Sequence, residues 1–458
     1  MKALRTHLII LVPLVGLTPG CSPDSGGTGI LDGLFNLGKN GHQIDPLLEA
    51  TAGASAVAKG DFNNDGLMDL VSVSSENQPV QLHLLNSQGA FDLLSIAGGG
   101  PLAIMNDVDV ADFNRDGKLD IAVLVKDTGF VPPKDVDMPS AVILLIQGAD
   151  PLNPSNWIWV APPLGCHVNP QNPECGMFLS SDQTGPTDLE IGDFNNDGLP
   201  DFVIAANGPK PKGADAQAPH TFVLVYLNPG INSAANPAAW NPLVADSDVL
   251  TYSDLAVADM DNDGDMDIVA AVPEAKTWNL HWLRNENNGT TWTSVLIGEQ
   301  TGGADYIDVG DINEDGSPDV VVAGSAYSLI QWFRSPGPAN LAPSAPQVPW
   351  YVYNIGLISD IEVDGQSQTI EFNQLRVLDL DSDGEVEVFV TGDGYAYEFQ
   401  RTANLFNPWT GTALFKADPE GVLGRCAFHD YTGNGWLDIL VPVDRDGLTL
   451  DGVYLFAR

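Results

Sequence analysis

The sequence predicts an all-β chain, a seven-bladed propeller of four-stranded blades, and two observations carry that expectation. A nine-residue acidic loop, D-x-[N/D]-x-D-G-x-x-D, recurs along almost the whole chain, each copy followed by an apolar or β-branched run such as Asp319-Val-Val-Val-Ala-Gly. The loops start 51, 81, 66, 52, 68 and 51 residues apart, and the shortest intervals just hold four strands with their turns. Sheets repeating at this period, with variation confined to the connections, point to a propeller rather than a sandwich or a solenoid.

The first three loops place Asp61, Asn63, Asp65 and Asp69, then Asp112, Asn114, Asp116 and Asp120, then Asp193, Asn195, Asp197 and Asp201 at the four oxygen-bearing positions. The next three use Asp259, Asp261, Asp263 and Asp267, then Asp311, Asn313, Asp315 and Asp319, then Asp379, Asp381, Asp383 and Glu387. A degenerate seventh reads Asp430, Thr432, Asn434 and Asp438. Oxygens on alternate residues of a tight turn converge on one point, which suits a hard cation with six or more oxygen ligands, and the sixth-position glycine permits the bend. Calcium is the expected ion, with six tight sites and a weak or empty seventh. An EF-hand is excluded by the twelfth positions, Ser72, Val123, Ile204, Ala270, Val322, Val390 and Val441, none of which is the required Glu. Asp/Asn/Gly turns without an ion are the alternative, common for one such loop and improbable for seven.

Between residues 253 and 298, runs beginning at Leu255, Asp267, Asn279 and Trp292 read as strands A to D, with the acidic loop joining A to B. After the seventh loop the chain holds only two more strands, Asp438 to Val443 and Gly452 to Phe456. The segment Gln43 to Leu48 is therefore expected to supply the missing outer strand and close the ring, which also removes exposed sheet edges.

The N-terminus divides into residues 1–20, a signal peptide in which Lys2 and Arg5 precede an apolar stretch from Leu8 to Leu17, and residues 21–41, a polar tether. Leu17-Thr18-Pro19-Gly20-Cys21 has the form of a bacterial lipobox, with Thr18 and Pro19 departing from its usual pattern, so Cys21 is the expected lipidation site and plain secretion the alternative. The folded domain is expected over 42–458. Export makes Cys166 and Cys175 an expected disulfide, and zinc beside His167 is the weaker alternative because no second Cys or His pair is near. Cys426 reads as an inert core thiol.

The formal charge of −42 comes from 61 acidic against 19 basic residues, much of it at the loop positions. Such a chain repels nucleic acid and anionic membranes, so any membrane contact is expected only through the lipid.

The loop set between two short strands resembles the FG-GAP/VCBS repeat, the blade unit of integrin α-subunit propellers, of bacterial exported proteins and of some fungal sugar-binding lectins. The resemblance covers residues 42–458 and implies a calcium-binding seven-bladed propeller, while the lipobox-like N-terminus makes the cell surface or outer membrane its expected location. It implies no single ligand or reaction.

In a propeller, A-B and C-D turns share one face, while B-C turns and blade-to-blade connections share the other. The long segments Asp127 to Ser140, Asn207 to His220, Cys166 to Cys175 and Leu357 to Thr369 all belong to the face opposite the ion loops, which is where a carbohydrate or protein ligand is expected. Trp157 and Trp159 alternate on an outer strand, and packing against the next blade is the preferred role over sugar stacking. Trp282, Trp332 and Tyr226 read as equivalent structural positions on C strands. No HExxH, GxSxG, P-loop or CxxC motif is present. A binding or adhesion module is therefore preferred to the alternative, a calcium-dependent polysaccharide lyase using Lys134, Lys210, Lys212 or His220 as base.

Overall fold

The computed structural model describes residues 44–48, 53–76, 78–96, 104–125, 142–162, 185–207, 221–248, 250–273, 280–298, 303–342, 348–363, 366–367, 370–417, 421–444 and 452–458. Six blades follow one another as four-stranded antiparallel sheets over residues 54–95, 105–160, 185–248, 254–298, 306–357 and 372–416, each in the order A-B-C-D. In blade 4 the strands are Asp254–Ala258, Asp267–Ala271, Leu280–Asn285 and Trp292–Gly298, within a few residues of the expected runs.

The seventh sheet closes the ring as the sequence predicts. Ile44–Leu48 pairs with Gly452–Phe456, which pairs with Asp438–Asp444, and the inner edge is made by Ala427–His429 and Val422–Leu423. The inner strand of each of blades 1 to 5 lies against that of the next, and blade 7 returns to blade 1.

The core is divided among the interfaces. B strands such as Asp120–Val125, Asp201–Asn207 and Asp319–Gly324 are buried throughout, because alternate side chains enter the clefts on either side of their sheet. Seven apolar clusters result, one for each pair of neighbouring blades, and the one between blades 7 and 1 is the smallest. The second residue of each acidic loop enters these clefts: Phe62, Phe113, Phe194, Met260, Ile312 and Leu380 are fully buried. Three of them meet a tryptophan at the start of the next blade's outer strand, in the pairs Phe62/Trp157, Phe113/Trp240 and Phe194/Trp292. Trp157 therefore packs between blades 1 and 2, as expected.

The equivalence of Tyr226 with Trp282 and Trp332 is corrected by register. Trp282 and Trp332 lie opposite Val269 and Val321, two residues after the loop's closing aspartate, whereas Tyr226 lies opposite Phe202, one residue after it. A one-residue offset reverses the face, so Tyr226 stacks on Phe202 toward blade 2, in the cleft opposite to the one its supposed equivalents fill.

Candidate functional site

All seven acidic loops form A-B turns and lie at one end of the ring. Their backbone is built from two residues in the left-handed region. The sixth-position glycines have φ of 78 to 98°, and the fourth positions, Asn64, Arg115, Asn196, Asn262, Glu314 and Ser382, have φ of 52 to 60°. Asparagine at three of these six sites fits its tolerance of that region. In every loop the first aspartate closes the turn, its Oδ1 accepting the fifth residue's N–H at 2.9–3.1 Å and its Oδ2 the glycine N–H at 2.8–3.0 Å.

The ninth position has a second role that its spacing did not disclose. Asp69, Asp120, Asp201, Asp267, Asp319 and Asp438 are fully buried, and Glu387 nearly so. One oxygen of Asp267 accepts the N–H of Met260 at 3.1 Å, and the other that of Asn285, at the end of strand C, at 2.8 Å. The same double acceptance recurs at Asp69, Asp120, Asp201 and Asp438, so the carboxylate staples its loop to strand C. Burial pushes Asp69 up to about 6, Asp120, Asp201, Asp319 and Glu387 to about 7 and Asp267 to about 8, with the backbone N–H groups opposing the rise.

Among the described residues, two loops bring three carboxylates within 4.8 Å of one another: Asp259, Asp261 and Asp263 in loop 4, and Asp379, Asp381 and Glu387 in loop 6. In both, the third-position carboxylate keeps a buried oxygen without a partner, Asp261 Oδ1 and Asp381 Oδ1. A buried anionic oxygen left bare is costly, and a hard cation would satisfy it, so these donor sets fit calcium. Loops 1, 2, 3 and 5 carry Asn at the third position, and in loops 1, 2 and 3, as in loop 5, that amide oxygen accepts the fifth residue's N–H. Internal cations also touch two fifth-position carboxylates, Lys118 on Asp116 at 3.5 Å and Arg334 on Asp315 at 3.3 Å.

Loop 7 is built differently. Asn434 Nδ2 donates to the Arg458 carbonyl, Arg458 N–H donates to Asp438, and the Arg458 guanidinium covers Trp436 while pairing with Glu398 at 2.7 Å. Of the two replaced positions, Asn434 thus holds the Arg458 backbone, while Thr432 bonds within the loop to Asp430 and Asp438. Asp430 accepts three backbone N–H groups, which hold it below the usual carboxylate range against the small effect of burial.

Fourth-position side chains link the loops into a belt. Asn64 reaches the Gly117 carbonyl, Arg115 that of Gly198, Asn262 that of Gly316 and Ser382 that of Gly435, while Asn196 donates to Asp265. Arg401 joins Glu314 to Glu385 across loops 5 and 6.

With this geometry in place, the family follows. The FG-GAP-like repeat matches residues 44–123, 193–270 and 259–322, three stretches that contain five of the seven loops. The chain is an FG-GAP-repeat β-propeller. A crystal structure of BBS1N in complex with ARL6DN, soaked with lead, is similar at a TM-score of 0.50 and 10% identity, over 92% of this chain and 97% of that one. A lectin of Agrocybe aegerita, solved for its recognition of non-reducing terminal N-acetylglucosamine, is similar at a TM-score of 0.45 and 15% identity, over 80% of this chain and 81% of that one. At such identities the likeness is one of fold. No curated protein sequence matches the FG-GAP propeller described here.

The remaining predicted positions divide. Cys21, Cys166 and Cys175, and the candidate bases Lys134, Lys210, Lys212 and His220, lie outside the described residues. Cys426 is a buried free thiol that burial pushes up, as expected of a core cysteine. His83 is buried against Ser72, His281 meets Asp246 at 3.2 Å, and His429 packs on Tyr431. No helix among the described residues is long and apolar enough to cross a membrane.

Proposed function

We propose that this FG-GAP propeller is an exported, lipid-anchored binding module, stabilised by calcium at its A-B loops and carrying a carbohydrate or protein ligand on the opposite face. A rigid FG-GAP ring suits binding, since it holds loops from several blades in fixed relation. The observation that carries the choice of face is the division of labour between the two ends of the blades. At the loop end, side chains and carbonyls are engaged loop to loop by the belt from Asn64 to Gly435. The long connections leave from the other end: 126–141 between strands B and C of blade 2, 208–220 between strands B and C of blade 3, and 161–184 between blades 2 and 3. Three neighbouring insertions thus leave from one rim, which is where this reading puts the ligand.

Calcium would be held by the first, third, fifth and ninth positions of loops 1 to 6, where it would supply the positive charge that converging carboxylates need. Its role in this reading is structural.

A glycan array with and without calcium, run beside a polysaccharide depolymerisation screen, tests the proposal. The expected result is binding without depolymerisation. Shortening the loop from Asn207 to His220, or replacing Cys166 and Cys175 by Ser, should weaken binding in a folded protein, whereas Asp263→Ala should act on stability. Binding lost in a well-folded Asp263→Ala variant and kept after loop shortening would move the site to the ion-loop face. Depolymerisation would favour the lyase.

A further inference from the structure

The inner strands carry charges with no part in the loops. Five residues before the first loop aspartate stand Asp107, Asp188 and Asp254 of blades 2, 3 and 4, and Arg425 of blade 7. Three residues before it stand Asp109, Glu190, Asp308 and Arg376 of blades 2, 3, 5 and 6, each paired with the second residue after its own blade's closing carboxylate. Equal register places these residues in two stacked rings around the axis.

Arg425 holds the first ring together. Its Nη1 donates to Asp107 Oδ2 at 2.8 Å and to Asp188, and its Nη2 to Asp254 Oδ1 at 3.2 Å. The guanidinium side chain is 14% exposed and its three partners 8%, 0% and 3%, so this is a buried cluster. The backbone of Arg425 exchanges hydrogen bonds with Ser55 and Val57 of blade 1, and that of Cys426 with the Gln374 side chain of blade 6. Two residues of the closing blade therefore touch blades 1, 2, 3, 4 and 6. The spare oxygens of Asp188 and Asp254 accept the N–H groups of Leu255 and Ile307, which passes the hold to blades 4 and 5.

Two features give this cluster more than a packing role. The seam between blades 7 and 1 has the smallest apolar cluster of the seven, built around Ala54, Val57, Leu70, Ala427, Leu440 and Val453, and its outer strand is joined without a covalent link. The two rings also hold six carboxylates against two guanidiniums, an excess of anions that burial makes costly. Tyr306, five residues before Asp311, faces Arg425 from the first ring, and Cys426, in the cleft between blades 6 and 7, lies near Arg376.

We propose that Arg425 is a charge lock that closes the ring from inside, and that the excess of buried axial carboxylates over guanidiniums makes this lock sensitive to pH. Burial pushes Asp107 up to about 7 and Asp109 to about 6, and raises Glu190, Asp254 and Asp308, with the guanidiniums opposing each rise. A carboxyl raised in the folded state binds protons that the unfolded chain, titrating near 4, has released. Its contribution to stability is complete in acid and is lost as the pH rises through the folded value.

The test is melting and hydrogen exchange of the full chain in calcium from pH 5.5 to 8.5, exchange being corrected for its intrinsic pH dependence. The wild type should melt lower as the pH passes 7, and the amides of Val57 and of Gly452–Phe456 should lose protection before those of Asp267–Ala271 in blade 4. Asp107→Asn keeps an acceptor for Arg425 and should flatten the pH dependence relative to wild type, a difference that stands whether or not the loops hold calcium. Arg425→Gln should lower Tm by about 5 °C at pH 7 and open the seam at every pH, since it leaves three buried carboxylates without their partner. Should Arg425→Gln not fold, the slope difference at Asp107→Asn decides alone. A wild-type melting temperature flat from pH 6 to 8.5, an unchanged slope in Asp107→Asn, or a folded Arg425→Gln variant with an intact seam would each overturn the proposal.

Discussion

Two regions of this propeller gather carboxylates, and they compensate them by opposite means. On the axis, Asp107, Asp188 and Asp254 converge on Arg425, a cation supplied by the chain itself. In the loops the carboxylates are held by backbone N–H groups, which orient them but carry no full charge, and in loops 4 and 6 a buried oxygen is left bare. The axis is electrostatically self-sufficient to the extent its protons are retained. In the proposed reading the loops would take their compensating charge from a calcium ion supplied from outside. Loop 7 shows a third arrangement, in which Asn434 and Asp438 hold the backbone of Arg458, whose guanidinium lies over Trp436.

The largest effect should separate the two kinds of loop carboxylate. Asp267→Ala strips partners from the buried N–H groups of Met260 and Asn285 and should cost about 3 kcal/mol or more, even in chelator. Asp263→Ala, at an exposed position, should cost about 1 kcal/mol in chelator and more only in calcium. Equal losses in urea denaturation with EDTA would break the distinction between staple and ligand.

Next in size is the response to chelation. Each site occupied at a hundredfold excess over its Kd adds about 2.7 kcal/mol, so EDTA should lower Tm clearly. The metal-free protein should also lose stability between pH 6 and 8.5, because the ninth-position carboxyls, raised by burial to about 6 to 8, release their protons across that window. Saturating calcium should remove that part of the slope. A melting curve indifferent to EDTA would make the loops ordinary turns.

Loop 7 sharpens the comparison further. Asp430→Ala should destabilise equally with and without calcium, since its three N–H partners are all within the loop. A calcium-dependent loss there would restore the seventh site. The smallest effect belongs to the belt: Asn262→Gly keeps the left-handed backbone, removes one exposed contact with the Gly316 carbonyl and should cost about 0.5 kcal/mol.

The ring was legible in the sequence because its period, its loop and its incomplete last blade are all local patterns. The spacing from Asp259 to Asp267 predicts a turn and strand in any context, and the shortfall after Phe456 predicts the closing strand at Ile44–Leu48. What stayed hidden depends on contacts between blades. Asp267 looks like one more ligand until strand C is placed beside it, and Arg425 stands 318 residues from Asp107 and 171 from Asp254, so no local pattern connects them. Tyr226 was misplaced because aromatic character repeats more loosely than register. The long connections, where a ligand is expected, have no repeat to read at all.

The central claim is that the loops hold calcium as a set. Metal content per chain, measured after dialysis against a mild chelator, tests it most directly. Loops 4 and 6 should release their ions last and loop 7 should hold none, giving a value near six before stronger chelation. A value of one or two, or no bound calcium at all, would contradict the account.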